Sequence, residues 1–248
     1  MTVLSCCSLP NGPQQTPFTD ASENPISVYC YTSLPDCGPG PWALVMKSIY
    51  GSKELIYYSP FWTNKESLNP QAANDPYTHV NIKLPTYWAS PITQGVCLWF
   101  PSSIMAYLQV PLTASSLYDV ISGGSHMATN LDCDTGWKAS LVSPPLSDCG
   151  TQGFNAQHLS GTKARIGAVA GDGNSNLGLC LAGGWTGADS DVQAGGSFTT
   201  DPDLNSLANA YLVFVKGSRL KDKNPQMTKR IIVILTNLSM VIISGGLM

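Results

Sequence analysis

The side chains here whose types and spacing suit chemistry are mostly oxygen and sulfur donors. Asp172-Gly-Asn174-Ser-Asn176 sets oxygens at alternating positions, as calcium-binding loops do. The sixth position of that loop is Leu177 rather than Gly and the twelfth is Gly183 rather than a bidentate Glu, so an EF-hand is excluded. An Asx-rich turn is the competing reading of the same residues. Asp189-Ser-Asp191, with Asp201-Pro-Asp203 following, is a second candidate set for a hard cation such as calcium. The eight cysteines (Cys6, Cys7, Cys30, Cys37, Cys97, Cys133, Cys149 and Cys180) are even in number, widely spaced and free of any C-x-x-C pair. With only three histidines in the chain, zinc-site spacing is missing, and the pattern predicts disulfides made in an oxidising compartment. On the order of a hundred connectivities are open to eight cysteines, and spacing does not choose among them.

Acyl transfer needs a nucleophile beside a base and an orienting acid. The serines include no G-x-S-x-G, and His79, His126 and His158 read as surface or hydrogen-bonding positions in turn-rich segments. The carboxylate pairs Asp189/Asp191 and Asp201/Asp203 face no second acid at hydrolase spacing. The expectation is a protein that is not an enzyme. Trp62, Trp88, Trp99, Trp137 and Trp185 are flat rings of the kind on which sugars stack, although most tryptophans in a domain of this size are core. Trp185, among glycines and beside Thr186-Gly187, is the one expected to be exposed and to touch a ligand.

These residues must be positioned by short strands and turns. The chain of 248 residues is long enough for one sizeable domain, only 12% of it is charged, and it carries 23 Gly and 18 Pro. That composition suits a loop-rich, tightly turned fold rather than a helical bundle or a disordered chain. A net charge of −3 supplies no basic stripe, which argues against a nucleic-acid partner. In WALVMK, Trp42, Leu44 and Met46 alternate, which predicts a half-buried strand. A turn at Gly51-Ser52 is expected to lead into a second strand, LIYYS, followed by the aromatic cluster Tyr57, Tyr58, Phe61 and Trp62 and a polar turn at Thr63-Asn64-Lys65. Trp42 and Trp62 are expected in the core. Helix signals are limited to segments such as SSIMAYLQ (102–109) and SLYDVIS (116–122). The fold class predicted is α+β, a twisted antiparallel sheet with long disulfide-tethered loops.

The order of the blocks carries a further signal. Cys37, Gly-x-Gly, Trp-x-Leu-Val-Met-Lys, an aromatic-Ser-x-x-Trp-Thr-Asn segment, Leu-Asn and Lys-Leu-Pro-x-Tyr-Trp follow one another between residues 37 and 88. NPISVYC (24–30) precedes them; CGTQGFNAQHLSGTKARIG (149–167), the Gly183-Gly184-Trp185 loop and AYLVFVK (210–216) come after. In this order the blocks resemble the fibrinogen-related domain, in the cnidarian, intelectin-like variant that includes skeletal organic matrix proteins of stony corals. The resemblance covers residues 24–216 and implies a fibrinogen C-terminal-like fold closing on AYLVFVK. It also implies calcium held in C-terminal loops near a ligand pocket, where Asp189 and Asp191 fall. The family's His- and Cys-Gly-Asn-containing loop is missing, so its sugar-gripping residues do not carry over.

The ends add two expectations. Residues 1–23 show neither a basic stretch nor an apolar core of a signal peptide, and with so many cysteines the expected explanation is an N-terminus truncated upstream. A polar, basic linker (217–230) leads to the uncharged tail 231–248. Its 18 residues lie at the lower edge of a membrane span. Three readings stay open for it: a span, a cleaved lipid-anchor signal, or a gene-model artefact. The function expected is extracellular, non-catalytic recognition of a glycan or matrix component through loops 172–203, with calcium as the only cofactor. The alternative is a structural component of a calcified, mineral-associated matrix without lectin activity. In both, the protein is secreted, and the first two readings of the tail attach it to a membrane.

Overall fold

The computed structural model describes residues 11–49, 54–75, 78–100, 106–132, 136–137, 149–159, 161, 163–170, 176–183, 194–195 and 210–216. Strands dominate. β1 (Gly12–Thr19), β2 (Pro25–Leu34), β3 (Gly38–Ile49), β4 (Ile82–Lys83), β5 (Gly95–Phe100), β6 (Ala106–Val110) and β11 (Ala210–Lys216) make a seven-stranded sheet. Its order is β1-β2-β3-β11-β5-β6, with β4 on β3, and every pairing is antiparallel. A second sheet holds β7 (Cys149–Gln157), β8 (Lys163–Ala170), β9 (Asn176–Gly183) and β10 (Ala194–Gly195) in the order β10-β9-β8-β7. Only its β7–β8 hairpin is antiparallel; β8–β9 and β9–β10 run parallel, unlike the uniformly antiparallel sheet expected. Helix among the described residues comprises α1 (Thr86–Ala89), α2 (Leu117–Ile121), two 3₁₀ turns, Pro60–Trp62 and Pro70–Asn74, and a π turn at Gly136 and Trp137. None of these is long and apolar enough to cross a membrane, and the tail 231–248 lies outside the described residues.

β3 is the organising strand. Alternation predicts one buried face, yet every residue from Trp42 to Ile49 is buried, including Ala43, Val45 and Lys47 on the opposite face. The reason is tertiary: β2 and β11 flank the strand, β4 pairs with it as well, and apolar groups cover both sides. Met46 pairs with Val213 and Leu44 with Phe214, so Val45 is an extra, bulged residue. Its carbonyl accepts the Leu84 amide (2.9 Å), while the Thr86 hydroxyl donates to the Leu44 carbonyl (2.7 Å). The bulge thus ties Lys83–Thr86 to the sheet and sets where α1 begins.

Trp42 and Trp62 are fully buried, as expected. LIYYS is not a strand: Leu55–Ser59 is a run of turns, capped when Ser59 Oγ accepts the Phe61 amide (3.4 Å) at the head of the Pro60–Trp62 turn. The Trp62 indole donates to the Ile56 carbonyl (2.8 Å), a bond that needs the chain folded back rather than extended. The described part of SSIMAYLQ lies in β6, a strand where helix was expected, because Val96–Phe100 supplies a neighbouring ladder for it. SLYDVIS does contain α2, capped at both the amide and the carboxylate of Asp119 by Ser116 (3.1 and 2.8 Å). β2 runs through Cys30 to Leu34. The turn at Gly51-Ser52 lies outside the described residues.

Candidate functional site

A cleft of about 580 Å3 opens between the β1–β2 turn, the segment Lys65–Pro70 and the start of α1. Each wall has an identifiable local cause. At the β1–β2 turn, Asp20 Oδ1 accepts the Ser22 and Asn24 amides (2.9 Å each), an Asx arrangement that closes the loop. Its Oδ2 accepts Gln71 Nε2 (2.9 Å), so the carboxylate also moors the 3₁₀ turn Pro70–Asn74. Those donors, Gln71 foremost, hold the Asp20 carboxyl below its ordinary value.

Asn64 fixes the second wall. It accepts the Lys83 ammonium at both its carbonyl (2.9 Å) and Oδ1 (2.8 Å), accepts the Glu66 amide (3.3 Å), and donates from Nδ2 to Glu66 Oε2 (3.1 Å). Lys83 itself is fully buried, with its Nζ 4.8 Å from the Tyr87 ring centre, 5.4 Å from Trp88 and 5.7 Å from Phe61. Burial draws its pKa down to about 8, against the opposing pull of Glu66. Tyr87 is locked by its hydroxyl bond to the Trp62 carbonyl (2.9 Å), and burial pushes that phenol well above its ordinary value. Trp88, held between this cage and the cleft, is half-buried.

The other tryptophans resolve differently. Trp62, Trp99 and Trp137 are buried and present no face to a sugar. Trp185 lies outside the described residues, as do Asp172, Asn174, Asp189 and Asp191 of the expected calcium sets; for Asn176 only its backbone place in β9 is described. Among the described residues no group of three or more His, Cys, Asp or Glu is placed to hold a metal ion. His79 and His126 are exposed, and the His126 ring lies 2.9 Å from the Gln152 carbonyl.

One predicted disulfide is assigned a partner: Cys37, before β3, joins Cys97 of β5 across a sequence separation of 60. Cys30 is also disulfide-bonded. Cys133 lies outside the described residues, and for Cys149 and Cys180 only the backbone, in β7 and β9, is described. The GFN and KARIG blocks meet in a buried polar pair: Arg165 donates to Asn155 Oδ1 (2.9 Å) and the Tyr57 carbonyl (2.8 Å), with its guanidinium 4.2 Å from the Tyr57 ring centre.

From sequence, Asp20 and Glu66 carry no signal, and Asn64, Lys65 and Lys83 stand out only as parts of a turn and of a resemblance block, not as site residues. A legible sign was present for one of them, a lysine between Ile82 and Leu84 in a β-prone run, where a charge needs a dedicated partner. Comparison with protein-family models, curated proteins and solved structures finds no match to this chain.

Proposed function

We propose that this is an extracellular, non-catalytic recognition domain of the fibrinogen-related, intelectin-like type, acting on a glycan or matrix component. One observation carries the reading: a buried disulfide, Cys37–Cys97, braces an antiparallel sheet on which three of the resemblance blocks are neighbours, while the 149–167 block lies in the second sheet. NPISVYC lies in β2, WALVMK in β3 and AYLVFVK in β11, which are neighbours in the order β2-β3-β11. A bridge of this kind belongs to an oxidising compartment, and a rigid sheet carrying long loops is a scaffold for recognition. The ligand is taken by the parts of segment 172–203 outside β9 and β10, with calcium held by Asp189 and Asp191 organising them, and the tail 231–248 keeps the secreted domain at a membrane.

The test is glycan-array binding by the secreted full chain, with and without a calcium chelator. A component of the binding that chelation abolishes is the expected result. Absence of binding in both conditions would remove the recognition reading and leave the structural one, a component of mineral-associated matrix.

A further inference from the structure

We propose that the cleft between the β1–β2 turn and α1 is a second, calcium-independent subsite for a neutral glycan, with Trp88 as its stacking platform. The inference rests on reading the chain as a glycan-recognition domain, yet it uses no residue of loops 172–203.

The cleft's volume of about 580 Å3 falls inside the range of roughly 300–1,000 Å3 typical of small-molecule sites. Trp88 is the single described tryptophan that is not buried; Trp42, Trp62, Trp99 and Trp137 are all core. An indole at a cleft wall supplies a flat apolar face and one N–H donor. That N–H forms no hydrogen bond among the described residues. The Ser67 and Ser22 hydroxyls are equally uncommitted. The Lys65 ammonium makes no hydrogen bond among the described residues; it lies 4.8 Å from the Tyr118 ring centre, and near enough to Asp119 to add to the Ser115 and Ser116 hydrogen bonds that hold that carboxyl below its ordinary value. Glu66 has one oxygen bonded to Asn64 and the other open. Donors and acceptors that the fold does not use therefore converge around one apolar ring.

Their signs select the ligand. Asp20 and Glu66 would repel a polyanion, and Lys65 beside them disfavours a polycation. An apolar peptide segment would strip water from both carboxylates without returning hydrogen bonds. A neutral pyranose meets every requirement: its C–H face lies on the indole, and its hydroxyls both accept from Lys65 and donate to Glu66. The wall is also pre-ordered. Asp20 locks the turn through backbone amides, Asn64 locks Glu66, and the buried Lys83 ammonium fixes the indole from its own position 5.4 Å away.

The experiment applies the full-length secreted protein to an array of neutral, sulfated and carboxylated glycans, with and without chelator. It compares the wild type with Trp88→Ala, Glu66→Gln and the double substitution Asp189→Asn/Asp191→Asn. Neutral-glycan binding that survives chelation and the double substitution is expected. Trp88→Ala should weaken it by about tenfold or more, the scale of losing an aromatic stacking platform. Glu66→Gln, which keeps the Asn64 bond geometry and guards against misfolding of the Ala variant, should weaken it by several-fold. A signal that depends wholly on calcium and ignores Trp88→Ala overturns the subsite while sparing the recognition reading. Binding restricted to acidic glycans also overturns it, and a wild type that binds nothing overturns both.

Discussion

Removing the Cys37–Cys97 bridge should cost this fold about 4 kcal/mol. The two residues are separated by 60 positions, and closing a loop of that length in the unfolded chain removes about 14 cal/mol/K of entropy, or about 4 kcal/mol at 25 °C. The topology makes the cross-link more than a generic tether. β11, the last strand among the described residues, inserts between β3 and β5, and the bridge joins Cys37, just before β3, to Cys97 within β5. Both strands flanking the slot are therefore held together before the closing strand arrives, which lowers the loop-closure cost of a long-range pairing. Both sulfur-bearing residues are buried, at 2% and 0% exposure, so reduction requires opening of the sheet. The assay is guanidinium unfolding of the oxidised wild type against Cys37→Ala/Cys97→Ala, with refolding rates read in the same series. The variant should lose about 4 kcal/mol with an equal or larger m-value, as its unfolded chain expands, melt about 10 °C lower and refold more slowly. A loss under about 1 kcal/mol would refute the entropic argument, and rapid reduction of the native wild type by mild thiol would refute the burial argument.

Stability should rise with pH between about 8 and 10. Burial lowers the pKa of both Lys47 and Lys83 to about 8, while the unfolded lysines stay protonated to about 10.4, so the unfolded state binds more protons in that window. Above it the buried Tyr87 phenol, raised in the folded state, reverses the slope; denaturation midpoints falling from pH 8 to 9.5 would contradict this. Gly153→Ala should destabilise by about 2 kcal/mol, because the residue sits at φ +118° and an added Cβ would lie 2.1 Å from the Met127 carbonyl oxygen, breaking the Met127–Phe154 bridge. Thermal melts check it, and an unchanged midpoint would mean that the Met127 loop yields freely. Arg165→Met should cost about 2–4 kcal/mol in chemical unfolding, since the Tyr57 carbonyl and Asn155 Oδ1 lose their donor in a dry setting. A neutral outcome would show that water reaches both acceptors.

Several features are legible in the amino-acid sequence because they are local. The period-two run Trp42-Leu44-Met46 and the apolar run AYLVFVK become β3 and β11, the abundant Gly and Pro accompany a fold built of strands and turns, and Ser116 before an apolar stretch marks the start of α2. The presence of disulfides also follows from cysteine number and spacing, since oxidation is a property of compartment more than of fold. What a segment becomes when distant chain covers it is another matter. LIYYS has strand composition, but Trp62 reaches back to Ile56 and makes it a turn; Ala106–Val110 has helical composition, but β5 offers it a ladder. The partner of Cys37 depended on which strands flank β11, and the parallel pairs of the second sheet join strands that local patterning does not connect.

The cleft was the least legible feature. Trp88 is one of several equivalent tryptophans in sequence, and burial of the other described ones singles it out at a surface. Lys83 becomes part of the core because Asn64, 19 positions earlier, offers two oxygens, and three rings from two separate segments close around it. A buried charge is tolerated only where such partners converge, and their convergence is set by the bulge at Val45 and the sheet beneath it, which no local pattern encodes.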